Sequence, residues 1–165
     1  MPAPHPPEVR QDTYTDEAAV AEFAAVHRGP VIGPGDVRFD GARRSFNALV
    51  EARPEVIVRP VGDADVAAAI GFACARGLSV SVRGGGHSVA GHSVGDASVM
   101  IDLRLLREVT VDADAQRVLV GGGACWNDVD AATQGAELAL PGGTYGDTGV
   151  AGLTLAGGIG HLTGA

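Results

Sequence analysis

The sequence predicts an α+β fold, a small parallel β-α-β unit followed by a mainly antiparallel α/β part. Three observations predict it. The runs VIVRP (56–60), DADVAAAIGFACARG (63–77) and LSVSVRG (78–84) give strand, helix and strand with connections short enough for a parallel crossover. From Ser98 onward, SVMIDL, EVTVDA and RVLVGGG are short alternating runs separated by turn residues, Asp112 to Ala115 among them, as in an antiparallel meander. Glycine makes up 25 of 165 residues, about twice the usual ~7%, and it gathers at 84–86, 121–123, 142–143 and 149–160. With no collagen period and no low-complexity tract, those clusters mark tight backbone sites.

Along the chain, TDEAAVAEFAAVHRG reads as a helix capped by Thr15 or Asp16 and stopped at Gly29, with Val20, Phe23, Ala24 and His27 on one face. His27 is expected at the surface near the helix C-terminus, where the dipole suits a cation. ARRSFNALVEA (42–52) is a second short helical pattern. VIVRP is an apolar run stopped by proline, hence a strand, and the helix after it ends at Gly77 and places Cys74 on a buried face. After the three alternating runs, CWNDVDAATQGA is another helix. The glycine-rich LALPGGTYGDTGVAGLTLAGGIGHLTGA closes the chain.

Composition narrows the function. A chain of 165 residues is the size of one domain and can bury roughly two thirds of its unfolded surface. No apolar run approaches the ~20 residues of a membrane span, and the start lacks the apolar segment of a signal peptide, so the expectation is a cytoplasmic protein without membrane partners. A net charge of −8 argues against nucleic acid as partner. All twelve basic residues are arginines, which excludes a phosphate loop ending in Gly-Lys and a lysine Schiff base. Cys74 and Cys125 form no CxxC and no disulfide framework.

The chemistry concentrates in VRGGGHSVAGHSV (82–94), at the carboxyl end of a predicted parallel strand, where such units carry ligands. Consecutive glycines can turn successive N–H groups toward one point and form an anion nest, with Arg83 and Ser88 beside it. A plain tight turn between subdomains is the competing reading. The dinucleotide fingerprint GxGxxG is not met, since Val89 stands where the third glycine belongs. A metal site built from His87 and His92 with Asp96, or with Cys125 and Asp128, is a rival, but the spacing matches no strong zinc pattern.

ARPEVIVRP, VRGGGHSVAGHSV, MIDLRLLREVTVDADAQRVLVGGGACWNDVD and PGGTYGDTGVAGLTLAGGIGHL, in this order and spacing from about Phe39 onward, resemble the FAD-binding domain of the berberine bridge enzyme-like oxidoreductases, of the p-cresol methylhydroxylase (PCMH) and vanillyl alcohol oxidase superfamily. The resemblance implies a PCMH-type fold over residues 53–165, preceded by a helical lead-in over 1–52. It implies FAD as cofactor, its pyrophosphate on the backbone of Arg83, Gly84, Gly85, Gly86, His87 and Ser88, with Gly91 close by. His87, rather than His92, aligns with the family's modified histidine, which bonds covalently to the flavin 8α carbon. Pro141, Gly142, Thr148, Gly149, Gly152, Gly157 and Gly160 are implied as the second wall of the FAD site, while packing of small residues would account for some of them. Tyr145 takes the place of the family's second, cysteine-based link, and Cys125 lies too early for it. The family implies hydride transfer from a substrate C–H, of an alcohol, sugar or similar molecule, to flavin N5, with dioxygen as acceptor. Family members continue into a substrate domain, whereas this chain stops at GHLTGA within an expected helix. The expectation is therefore a truncated domain whose small-molecule substrate is met through residues this sequence does not contain. A non-catalytic flavin-binding module is the alternative, and no catalytic base is assigned.

Overall fold

The computed structural model describes residues 16–164. Helix α1 (Glu17–Val26) begins at Asp16, whose carboxylate accepts the Ala18 N–H at 3.0 Å. The alternative cap, Thr15, lies outside the described residues. The helix stops at Val26, three residues before Gly29, because His27 adopts an extended conformation. His27 is buried, not at the surface: its ring packs on Phe23 and its Nδ1 engages the Gly29 backbone. Gly29 serves a close approach instead of a helix stop, since a Cβ there would collide with the Arg59 carbonyl. Strand β1 (Val31–Ile32) follows.

The helix expected over 42–52 is not formed. Helix α2 (Phe39–Arg43) ends where that pattern begins, because the buried Arg83 guanidinium takes the carbonyls of Ala42 (2.6 Å), Arg43 (3.0 Å) and Arg44. A continuing helix needs those carbonyls as acceptors. The Phe46 N–H, which would have bonded Ala42, donates to the Gly86 carbonyl at 3.0 Å instead.

Strand β2 (Val56–Val58), helix α3 (Asp63–Arg76) and strand β3 (Ser79–Arg83) appear as the pattern predicts. Gly77 closes α3 at φ +62°, in the left-handed region that glycine enters without a Cβ penalty. Cys74 is exposed, contrary to expectation, because Ala69, Phe72 and Ala73 take the face of α3 against the sheet.

The largest difference concerns SVMIDL. It forms β4 (Ser98–Asp102), which belongs not to a meander but to the first sheet, in the order β1-β2-β4-β3. β4 lies between β2 and β3 and runs parallel to both, while β1 is antiparallel to β2. All five β4 residues are buried. Val99 and Ile101 enter a core with Val56, Val58, Phe23 and Phe72, and Met100 enters the opposite core with Ile32, Ile57 and Phe39. Period-2 alternation thus serves two apolar faces.

After a 3-10 turn at Leu103–Leu105, β5 (Val109–Asp112) and β6 (Arg117–Val120) form the antiparallel hairpin that remains of the meander. Helix α4 (Trp126–Gln134) and helix α5 (Val150–Ala156) meet beside it through Trp126, Val129 and Val150. The helix expected through the final residues gives way to turns at 161–164. Among the described residues no helix is long and apolar enough to cross a membrane.

Candidate functional site

β3 carries the chain to Arg83 at its carboxyl end, and the loop from Gly84 onward starts there. The Arg83 side chain turns away from that loop to hold the end of α2 and is only 1% exposed. Burial lowers its pKa to about 10, with the Arg104 charge adding and Asp102 opposing. It remains a cation at neutral pH, but a structural one.

A second segment is brought against the loop by pairing between residues 124–126 and 148–150. Trp126 N–H donates to Thr148 O at 3.1 Å and Val150 N–H to Ala124 O at 3.0 Å. That places Gly149 backbone to backbone with Gly85, so close that a Cβ on either would collide with the other's nitrogen. Two glycines facing each other are required here. Gly86 and Gly91 have φ near +80°, which turns the loop, and Gly91 packs on Val50.

Between the two segments lies a cleft of about 420 Å³. Gly84, Gly85, Gly86, His87 and Ser88 line one side and Thr148, Gly149, Gly152 and Gly157 the other. The sequence reasoning named all nine. Pro141, Gly142, Gly160, Gly91 and the Arg83 side chain do not line it. Gly142 lies against the Trp126 ring and Gly160 against the Gly142 carbonyl, so both support the wall from behind.

The cleft offers donors without cationic side chains. The N–H groups of Gly85, Gly86, His87 and Ser88 have no backbone acceptor among the described residues. Ser93 also lines the cleft, and its buried Oγ has no hydrogen-bond partner. Orphaned polar groups are costly when buried, and this set suits an anionic or acceptor-rich ligand. Sequence reasoning missed Ser93, whose only signal was a serine next to His92 in the same loop. Ser88 is partly engaged, its Oγ accepting the His92 N–H at 3.1 Å.

The His87 ring stacks on Phe46, with centroids 4.7 Å apart and 17° between planes, and its Nε2 lies 3.6 Å from Asp147. Neither neighbour was expected from the sequence. His92 lines the same cleft, but the other members of the rival metal set are engaged elsewhere. Asp96 accepts the Arg53 N–H at 2.7 Å, and Asp128 binds Arg107 and the Cys125 N–H. Among the described residues no three His, Cys, Asp or Glu side chains gather as a metal site.

The family model of the FAD binding domain matches residues 54–165. The chain belongs to that family, the FAD-binding domain of the berberine bridge enzyme-like oxidoreductases. It is 35% identical over 136 residues to (R)-6-hydroxynicotine oxidase of Paenarthrobacter nicotinovorans, covering 82% of this chain and 30% of that protein. The crystal structure of 6-hydroxy-D-nicotine oxidase from Arthrobacter nicotinovorans superposes with a TM-score of 0.80 at 35% identity, over 83% of this chain and 30% of the other. The glucooligosaccharide oxidase of Acremonium strictum, which carries a 6-S-cysteinyl, 8α-N1-histidyl FAD, superposes with a TM-score of 0.79 at 28% identity, over 89% and 30% of the two chains. This FAD-binding domain spans about 30% of the length of the curated relatives it matches. FAD is its cofactor, and the donors around the cleft fit the acceptor-rich diphosphate of that molecule.

Proposed function

We propose that this domain serves an oxidoreductase that moves hydride from a substrate C–H to flavin N5, with dioxygen as the acceptor. The observation behind the reading is that Gly85, Gly86, His87 and Ser88, whose N–H groups have no backbone acceptor among the described residues, line one cleft together with Ser93. Gly85, Gly86, His87 and Ser88 hold the diphosphate by backbone N–H groups, and Ser93 adds a hydroxyl donor. Gly149 keeps the second segment close, and Gly152 and Gly157 leave room, since a Cβ on either would meet nothing within 4 Å. Pro141, Gly142 and Gly160 act indirectly, through the packing behind the wall.

His87 is the covalent attachment point. Its imidazole is a quarter exposed, lines the cleft and stacks on Phe46, the placement of a nucleophile beside a ligand site. Bound FAD supplies the two-electron acceptor and an 8-methyl carbon able to take a nucleophile. The substrate, an alcohol, sugar or similar small molecule, is met by residues outside this domain. A cytoplasmic location fits the reading.

Acid denaturation followed by in-gel flavin fluorescence tests the attachment. His92→Ala keeps the fluorescence on the chain and His87→Ala abolishes it. Fluorescence retained in His87→Ala, or flavin mapped to Cys74, Cys125 or Tyr145, overturns the assignment. Peroxide release on addition of alcohols and sugars to a flavin-loaded protein that carries this domain together with its substrate-binding residues tests the reaction. Flavin binding without turnover in that protein favours the non-catalytic module.

A further inference from the structure

We propose that Asp147 is a positioning residue for flavin attachment: it receives the Nε2 proton of His87 while the ring bonds the flavin through Nδ1, the nitrogen that also carries the flavin in the glucooligosaccharide oxidase. The inference rests on the reading of His87 as the attachment point.

The geometry around His87 is built from two sides. Phe46 covers one face of the ring and is itself tied down, its N–H donating to Gly86 and the neighbouring Asn47 amide to Val89 O at 2.8 Å. Asp147 faces the Nε2 edge at 3.6 Å, longer than a hydrogen bond but closed by a small side-chain rotation. The Asp147 side chain is mostly exposed, yet its backbone is fixed. Asn127 N–H donates to Gly146 O at 2.8 Å and Trp126 N–H to Thr148 O at 3.1 Å, so both flanking peptides are anchored to the start of α4.

Asp147 also differs from the other carboxylates that meet basic side chains. Asp36, Asp40, Asp65, Asp102 and Asp128 are each bound by arginine and held below the usual carboxylate range. Among the described residues Asp147 has no arginine partner, and its one ion-pair contact is His87. Asp147 is the one of these carboxylates whose neighbour is an imidazole and not a guanidinium. The other titratable groups around the pair are His92, which lines the same cleft, and Cys125, whose thiol is raised chiefly by burial, against Arg107, with Asp128 and Asp147 adding.

The step balances. His87 Nδ1 forms a bond to the 8α carbon, that carbon loses one proton to solvent, and His87 Nε2 loses a second to Asp147. The two electrons released pass to the flavin ring, and dioxygen returns the ring to its oxidised form.

The test follows covalent attachment over time after FAD is added to the chain, by in-gel fluorescence, from about pH 6 to about pH 9. Unsubstituted protein, Asp147→Asn and Asp147→Glu are compared, with the FAD-induced melting shift measured for each. Expected are attachment slowed on the order of 10-fold or more at neutral pH in Asp147→Asn, recovery of that rate as hydroxide rises, and rescue by Asp147→Glu. The melting shift stays equal in all three, and NMR of the flavin peptide places the bond on Nδ1. Attachment in Asp147→Asn at the unsubstituted rate and pH profile, or a bond on Nε2, overturns the proposal. So does a slowed rate with an unchanged pH profile and a reduced melting shift, which marks a merely structural role. If the unsubstituted chain gains melting temperature with FAD but never binds it covalently, the attachment reading fails, this inference fails with it, and FAD binding stands.

Discussion

At the scale of single residues, the site is built by side chains that face away from it as much as by those that face in. Arg83 follows the logic of a phosphate ligand in the sequence, a lone cation before three glycines, yet its guanidinium is spent on three carbonyls at the end of α2. Ser93 has the opposite history. Nothing in its sequence context separates it from Ser88, but the residue lines the cleft and its hydroxyl is buried and unpartnered. Because that hydroxyl is buried without a partner, Ser93→Ala raises the stability of the free chain, by about 1 kcal/mol. It weakens FAD binding by the worth of one hydrogen bond, about 0.5–1.5 kcal/mol or roughly 2- to 13-fold. Flavin fluorescence titration and thermal melting without ligand measure the two effects separately. The contacts of His87 with Phe46 and Asp147 join residues far apart in the chain, so local patterns carry no trace of them. His27 and Cys74 were misplaced for a related reason: helical periodicity fixes which residues share a face, and only tertiary packing decides which side chains that face covers.

At the scale of elements, the legible parts were those with local punctuation. α3 runs between its acidic first turn and a left-handed glycine, and both ends were readable. β4 was not, because a short alternating run has the same appearance in a half-exposed meander and between two apolar cores. Its position matters for stability, since it ends in Asp102, fully buried and bonded to Arg59 (3.0 Å) beyond β2 and to Arg104 (2.8 Å) in the turn that follows. Burial alone would raise the Asp102 carboxyl, but hydrogen bonds and charge from Arg104, with Arg83 and Arg59, outweigh it and hold the group below its usual range. A folded-state pKa below the unfolded one stabilises above about pH 4. That stabilisation is lost as pH falls through the folded value. Asp102→Ala removes the buried carboxylate that binds the partly exposed Arg59 and Arg104 and costs about 2 kcal/mol near pH 7. The variant also shows a flatter loss of stability below about pH 4 than the unsubstituted chain. Urea unfolding at neutral and acidic pH checks both. Equal acid sensitivity in the two proteins contradicts this role for Asp102.

At the scale of the molecule, the fold brings two glycine-rich segments, some sixty residues apart in sequence, into backbone contact at Gly85 and Gly149 and opens a donor-lined cleft beside them. The family membership was legible because those segments keep their order and spacing. The division of labour among the glycines was not, since a glycine that lines a ligand and one that backs Trp126 look alike in sequence. The central claim is that this chain alone forms the FAD cleft, and a ligand that binds only the folded state raises stability by mass action. Thermal melting of the chain with and without FAD tests it most directly. At a ligand concentration about 100 times the dissociation constant, the gain is roughly 2.7 kcal/mol, or about 5–10 °C in melting temperature. Gly149→Ala, which would force the two segments apart, should remove that shift. The account predicts a saturable rise for the unsubstituted chain and none for the variant; a melting temperature that FAD leaves unchanged at every concentration would contradict it.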